Sequence, residues 1–147
     1  MDKPLKQPES VLVVVYTKQG ELLLMQRADD SNFWQSVTGT LETGETPLQT
    51  ARRELEEETG ISGVELLDCN YSAVFEIRPQ WRYRYVPGTT HNREHVFLAE
   101  LEEASPVVLQ PDEHLAYRWI EVSRALPQLW STTNREAVEQ FVLPRLG

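Results

Sequence analysis

A mixed β-sheet with helices packed on its faces, an α+β architecture, is the fold this sequence predicts. Three observations carry that expectation. Short β-branched and aliphatic runs recur along the chain, one long helix stands among them with start and stop signals at its two ends, and a second capped helical segment closes the sequence.

In chain order, VLVVVYT (Val11 to Thr17) is β-branched and lies between Pro8 and Lys18-Gln19-Gly20, so it reads as a buried strand entering a hairpin. Its partner is ELLLMQR, Glu21 to Arg27. ADDSNFW is a loop by composition, and QSVTGT is a short strand ending at Gly39. TPLQTARRELEEETG is the clearest helix. Thr46 caps it, Pro47 suits the first helical position, Gln49 completes a capping box and Gly60 ends it in the left-handed conformation, which places the helix at 47–59. VELLDCNYSAVFEI, WRYRYV and EHVFLAEL read as strands, the last set apart by Pro87-Gly88 and a turn over Thr89 to Arg93. YRWIEV is one more strand and SRALPQLW a broken helical turn. TNREAVEQFVL, with Thr133 and Glu136 as a capping box, is a closing helix that stops before Pro144.

Length and composition bound what such a fold can do. With 147 residues and 40% apolar content the chain is expected to form a single domain over 1–147. Its 23 acidic and 14 basic side chains, net charge −9, argue against gripping a nucleic-acid polymer through a general basic surface. An anionic substrate then needs a metal or a few placed arginines. Cys69 is the only cysteine, so an internal disulfide and a zinc site built on four thiolates are excluded, and a reducing cytoplasm fits best. The apolar run Val11 to Tyr16 is too short to span a bilayer and no cleavage site follows it, so neither export nor a membrane anchor is expected.

Against that background RELEEETG, Arg53 to Gly60, concentrates charge. On a helix Glu54, Glu57 and Glu58 share a face while Glu56 points elsewhere. Like charges at that spacing cost a few tenths of a kcal/mol per pair, roughly what opposite charges gain, and the helix dipole disfavours acids in the C-terminal half. Local stability does not explain the cluster. A hard divalent cation would, because Mg²⁺ takes carboxylate oxygens together with water and phosphates. A solvated acidic face is the alternative.

The wider spacing is specific. Gly39, five residues, Glu45, seven residues, Arg53-Glu54-Leu55, Glu56, Glu57-Glu58, Thr59, Gly60 and Ile61 resemble the Nudix box at every defined position. The resemblance implies a Nudix hydrolase with an α/β/α sandwich around a mixed central sheet, cleaving a nucleoside-diphosphate-like group linked to another moiety. It implies Mg²⁺, with Mn²⁺ able to serve, held by Glu54 and Glu58, with Glu57 as a further ligand or water-activating base. Arg53 would orient these carboxylates, Gly39 would let the backbone approach the site and Glu45 would tie the loop to the helix.

Outside the box, FWQSVTGTLETGET, FEIRPQWRYRYVPGTTHNREHVFLAEL, EHLAYRWIE and WSTTNREAVEQFV resemble the dihydroneopterin triphosphate diphosphatase branch of this family, which acts in folate biosynthesis and is hard to separate by pattern from enzymes hydrolysing dATP. The small-molecule partner implied is a pterin triphosphate or a nucleoside triphosphate, with pyrophosphate as a product. By the same matching Glu113 is a third metal carboxylate and a second candidate base, Arg27 faces the phosphates with Lys6 as a weaker contact, and Phe75, Glu76, Ile77 and Arg78 fall in the base-recognition segment. Glu76 is expected to accept hydrogen bonds from the amino and ring N–H edge of a pterin or guanine, Phe75 to stack, and Thr38 and Ser131 to offer hydroxyls. The run Trp81 to Tyr85 would put aromatic and cationic side chains on opposite faces of a strand. His114 reads as a proton shuttle or a loop histidine, and His91 and His95 take no role. Ala28 departs from the pattern, which can carry a second basic residue there. Two competing readings stay open: cleansing of dATP or oxidised purine triphosphates from the nucleotide pool, and a non-catalytic ligand-binding domain, against which the intact carboxylate set argues.

Overall fold

A computed structural model of the chain describes residues 5–146. β1 (Glu9–Thr17) is the spine. One edge of it pairs in parallel with β6 (His91–Leu101). The other edge is shared: β4 (Val37–Thr40) runs antiparallel along Ser10 to Val13, and β2 (Glu21–Arg27) joins further on, at Tyr16 with Leu22. β2 continues outward to β3 (Trp34–Gln35) and β7 (His114–Glu121), and β5 (Leu66–Glu76) flanks β6. Parallel and antiparallel pairs in one sheet make it mixed. β1 is buried on both faces, which is why its sequence is an unbroken apolar run rather than an alternation.

Each face of the sheet carries its own core. Val11, Val13, Val15, Met25 and Phe97 pack under α1 (Pro47–Thr59) through Ala51 and Leu55. On the other face Leu12, Val14, Val96 and Leu98 meet Val122 and Ala125 of the short helix α2 (Val122–Ala125) and Ala137, Val138 and Val142 of the closing segment. The result is the expected α/β/α sandwich. Among the described residues no helix is long and apolar enough to cross a membrane.

α1 matches its signals at both ends. The Thr46 hydroxyl accepts from the Gln49 N–H, the Gln49 side chain accepts from the Thr46 N–H, and Gly60 sits at φ 76°. Three expectations are corrected. WRYRYV is no strand: Pro79–Arg84 forms a 3₁₀ turn with Pro79 fixing its first residue, and Trp81 turns inward onto Phe33 and Trp130, with ring centroids 6.1 and 5.4 Å away. β6 begins at His91, inside the expected turn, because Asn92 and Glu94 extend the inward face of Val96 and Leu98. The closing helix is capped by Ser131, not Thr133. It runs through Pro144 as α3 (Thr132–Ala137), a wide π turn (Val138–Val142) and α4 (Leu143–Leu146). In the π turn the Leu143 N–H reaches back to the Val138 carbonyl, and this wider winding makes room for the proline ring.

Candidate active site

The loop between β4 and α1 is tied to the helix by one arginine. Arg53 donates to both oxygens of Glu45 at 2.8 Å each, to Glu54 at 2.6 Å, to Glu57 at 3.3 Å and to the Thr40 carbonyl at 3.2 Å. Glu45 also accepts from the Thr50 hydroxyl and the Glu42 N–H. The Arg53 guanidinium holds the Glu45 carboxyl down at about 2. Glu54 lies over Gly39: a Cβ on that glycine would stand 2.2 Å from the Glu54 Cγ and Cδ, so a side chain there would displace the carboxylate.

Glu58 is 7% exposed and lies beside Glu54. Burial raises the Glu58 carboxyl well above its ordinary range, and the negative charges of Glu54 and Glu113 add to the rise. Burial also raises Glu54, against the pull of Arg53. The Oε2 of Glu58 has no hydrogen-bond partner among the described residues.

These carboxylates open into a cavity of about 970 Å³. α1 and the turn before β7 line it with Glu54, Glu57, Glu58 and Glu113; β5, β6 and the start of the closing segment contribute Phe75, Asn92, Glu94, Trp130 and Ser131. Lys6, Arg27 and Arg84 bring positive charge. Burial first, and then Arg84, pushes the Lys6 ammonium down to about 8. Arg27 pairs with Asp29 at 2.6 Å, donates to Gln35 at 3.0 Å and lies over the Trp81 ring at 4.2 Å. His114 is buried beside the carboxylates, its Nδ1 has no partner among the described residues, and burial pushes it down to about 4, so it stands neutral.

Residues 6–141 match the model of the NUDIX domain. The chain belongs to the Nudix family. It is 46% identical to a dihydroneopterin triphosphate diphosphatase of Haemophilus influenzae, covering 93% of this chain and 89% of the relative. It is 44% identical to the Escherichia coli protein of the same name, over 97% of each. The solved structure of the E. coli dihydroneopterin triphosphate pyrophosphohydrolase superposes with a TM-score of 0.92 at 43% identity, covering 97% of this chain and 99% of that one. Nudix hydrolases work with divalent metal ions on small-molecule phosphate substrates.

The donors of this Nudix box suit such an ion. They are all carboxylate oxygens, hard ligands of the kind Mg²⁺ takes, and one of them, Glu58 Oε2, is buried without a partner among the described residues. Among the described residues no group of three or more His, Cys, Asp or Glu side chains is already drawn together as a ligand cage. Instead Glu54 and Glu57 are engaged by Arg53.

Of the residues expected at the site, Glu54, Glu57, Glu58, Glu113, Arg53, Lys6, Arg27, Thr38, Gly39, Phe75, Ile77 and Ser131 line the one cavity. Glu45 and Gly60 shape the loop and the helix end from outside the lining. Two expected contacts lie elsewhere. Glu76 is exposed on the other face of β5, 3.4 Å from Arg82, because strand alternation turns it away from its neighbour Phe75. Arg78 lies outside the lining with its guanidinium over the Phe33 and Trp130 rings, 4.8 and 5.0 Å from their centroids. The sequence reading missed Asn92 and Glu94. The available signal was the period of two that joins Asn92, Glu94, Val96 and Leu98 on one face.

Proposed function

We propose that this chain hydrolyses dihydroneopterin triphosphate to dihydroneopterin monophosphate and pyrophosphate, a cytoplasmic step of folate biosynthesis, with residues 1–147 acting as a single domain. One observation carries the reading: the box carboxylates, the placed cations and an aromatic wall with a polar floor line the same cavity. The near full-length similarity to two relatives bearing that name supports the substrate.

Glu54, Glu58 and Glu113 would hold Mg²⁺, with Glu57 as a further ligand and Mn²⁺ as a substitute. When bound, the cation neutralises phosphate charge and eases deprotonation of water. Arg53 sets the positions of Glu54 and Glu57 through its ion pairs and stays out of the reaction. Lys6 and Arg27 hold the phosphates, and Thr38 and Ser131 offer hydroxyls to the substrate. Glu57 or Glu113 takes the proton from the attacking water. The water oxygen bonds to phosphorus, the anhydride bond between the α and β phosphates breaks, and pyrophosphate leaves with its electron pair.

Product analysis tests this. Dihydroneopterin triphosphate incubated with the enzyme and Mg²⁺ yields pyrophosphate and the monophosphate in equal amounts, and chelator stops the reaction. Stepwise release of inorganic phosphate, or turnover that survives chelation, contradicts it.

A further inference from the structure

Glu94 is a carboxylate 5% exposed at the floor of the cavity. Strand register explains how it gets there. It sits on β6 between Ser10 of β1 and Ala73 of β5, on the face that the closing helix covers further along and leaves open at this end. Thr133 donates to its Oε1 at 2.9 Å, and no other side chain among the described residues bonds to or pairs with that carboxylate. Next to it on the same face, Asn92 spends its amide N–H on Ser10 at 2.7 Å and keeps its Oδ1 without a partner among the described residues. The floor is therefore rich in acceptors and short of donors. Such groups are costly to bury unless something supplies the missing donors.

Phe75, opposite Asn92 in the register, together with Trp81 and Trp130, gives the cavity flat apolar walls. A planar heterocycle held against them would reach the floor edge-on. We propose that Glu94 determines substrate specificity by accepting two parallel hydrogen bonds from the amino-and-ring-N–H edge of the heterocycle, an edge that pterins and guanine share and adenine lacks. Adenine would bring one donor and a ring-nitrogen lone pair, which a carboxylate repels. Burial pushes Glu94 up to about 7, with only the Thr133 hydroxyl opposing, and two N–H donors would hold it ionised. The role first expected of Glu76, on the exposed face of β5, thus passes to Glu94. The inference rests on the pyrophosphohydrolase reading of the same cavity and adds what the cavity reads.

The test is Glu94→Gln, assayed for kcat/KM on dihydroneopterin triphosphate, dGTP and dATP. Glutamine keeps the shape but turns an amide N–H₂ toward the donor edge. Specificity constants for the pterin and dGTP are expected to fall about 30- to 100-fold while that for dATP changes by less than about threefold. The ratio within one variant is independent of how much of the enzyme is folded. Binding of 7,8-dihydroneopterin, which has no phosphates, measured by fluorescence in chelator, is expected to weaken by the same factor. An equal fall for all three substrates, or none, overturns the role of Glu94 even if the wild type prefers the pterin. A wild type that ignores the pterin but favours dGTP over dATP, with that preference lost in the variant, supports Glu94 and overturns the folate reading. Wild-type preference for dATP overturns both.

Discussion

Glu58 is pulled by two opposing demands. It is buried beside Glu54 and has an oxygen with no hydrogen-bond partner among the described residues, so without a cation it weakens the structure that holds it. The sign of its pH effect follows. The folded state keeps Glu58 protonated above its ordinary value of 4.5, so it binds more protons than the unfolded chain there. Its contribution to stability is present below that value and is lost as pH rises through the folded pKa. Glu58→Gln in chelator should therefore melt higher than wild type at pH 8, with the difference shrinking toward pH 4.5. The same variant should lose at least about 100-fold in kcat and lose the rise in melting temperature that Mg²⁺ gives the wild type. A variant that keeps near-normal turnover, or that still gains stability from Mg²⁺, contradicts the assignment of Glu58 to the cation.

At the scale of elements, the site depends on how closely β4 approaches α1. Gly39 is where they meet, and the Glu54 side chain occupies the space a Cβ would need. Gly39→Ala is expected to leave the helix content and the cooperativity of melting intact while pushing Glu54 aside, lowering kcat about 10- to 100-fold. Wild-type activity in that variant would mean the close approach is incidental. α1 was legible because its signals are local: Thr46, Pro47, Gln49 and Gly60 act within a turn of the ends they define. Elements whose form depends on distant partners were not. Trp81 to Tyr85 alternates like a strand, but the packing of Trp81 on Phe33 and Trp130, from two other parts of the chain, bends it into a 3₁₀ turn. Thr133 resembles a cap until β6 brings Glu94 within 2.9 Å of its hydroxyl and leaves the capping to Ser131. The same cause moved the proposed heterocycle contact from Glu76 to Glu94. Which of two strand carboxylates faces inward depends on register, and β6 starts three residues earlier than its polar composition suggests.

Across the whole molecule, a chain of net charge −9 binds a polyanion only by concentrating positive charge in one place. The cavity does so with Lys6, Arg27 and Arg84 beside carboxylates suited to a divalent cation, while the sandwich holds the groups proposed to face the phosphates and the heterocycle on separate elements around one space. With the role proposed for Glu94, the choice of heterocycle, rather than the hydrolysis itself, is the point on which the proposed function turns. Competition therefore tests the account most directly. With dihydroneopterin triphosphate, dGTP and dATP mixed at equal concentration in Mg²⁺, product ratios give the ratios of kcat/KM. The pterin is expected to be consumed at least about 100-fold faster than dATP. Equal consumption of the two, or dATP first, would contradict the account.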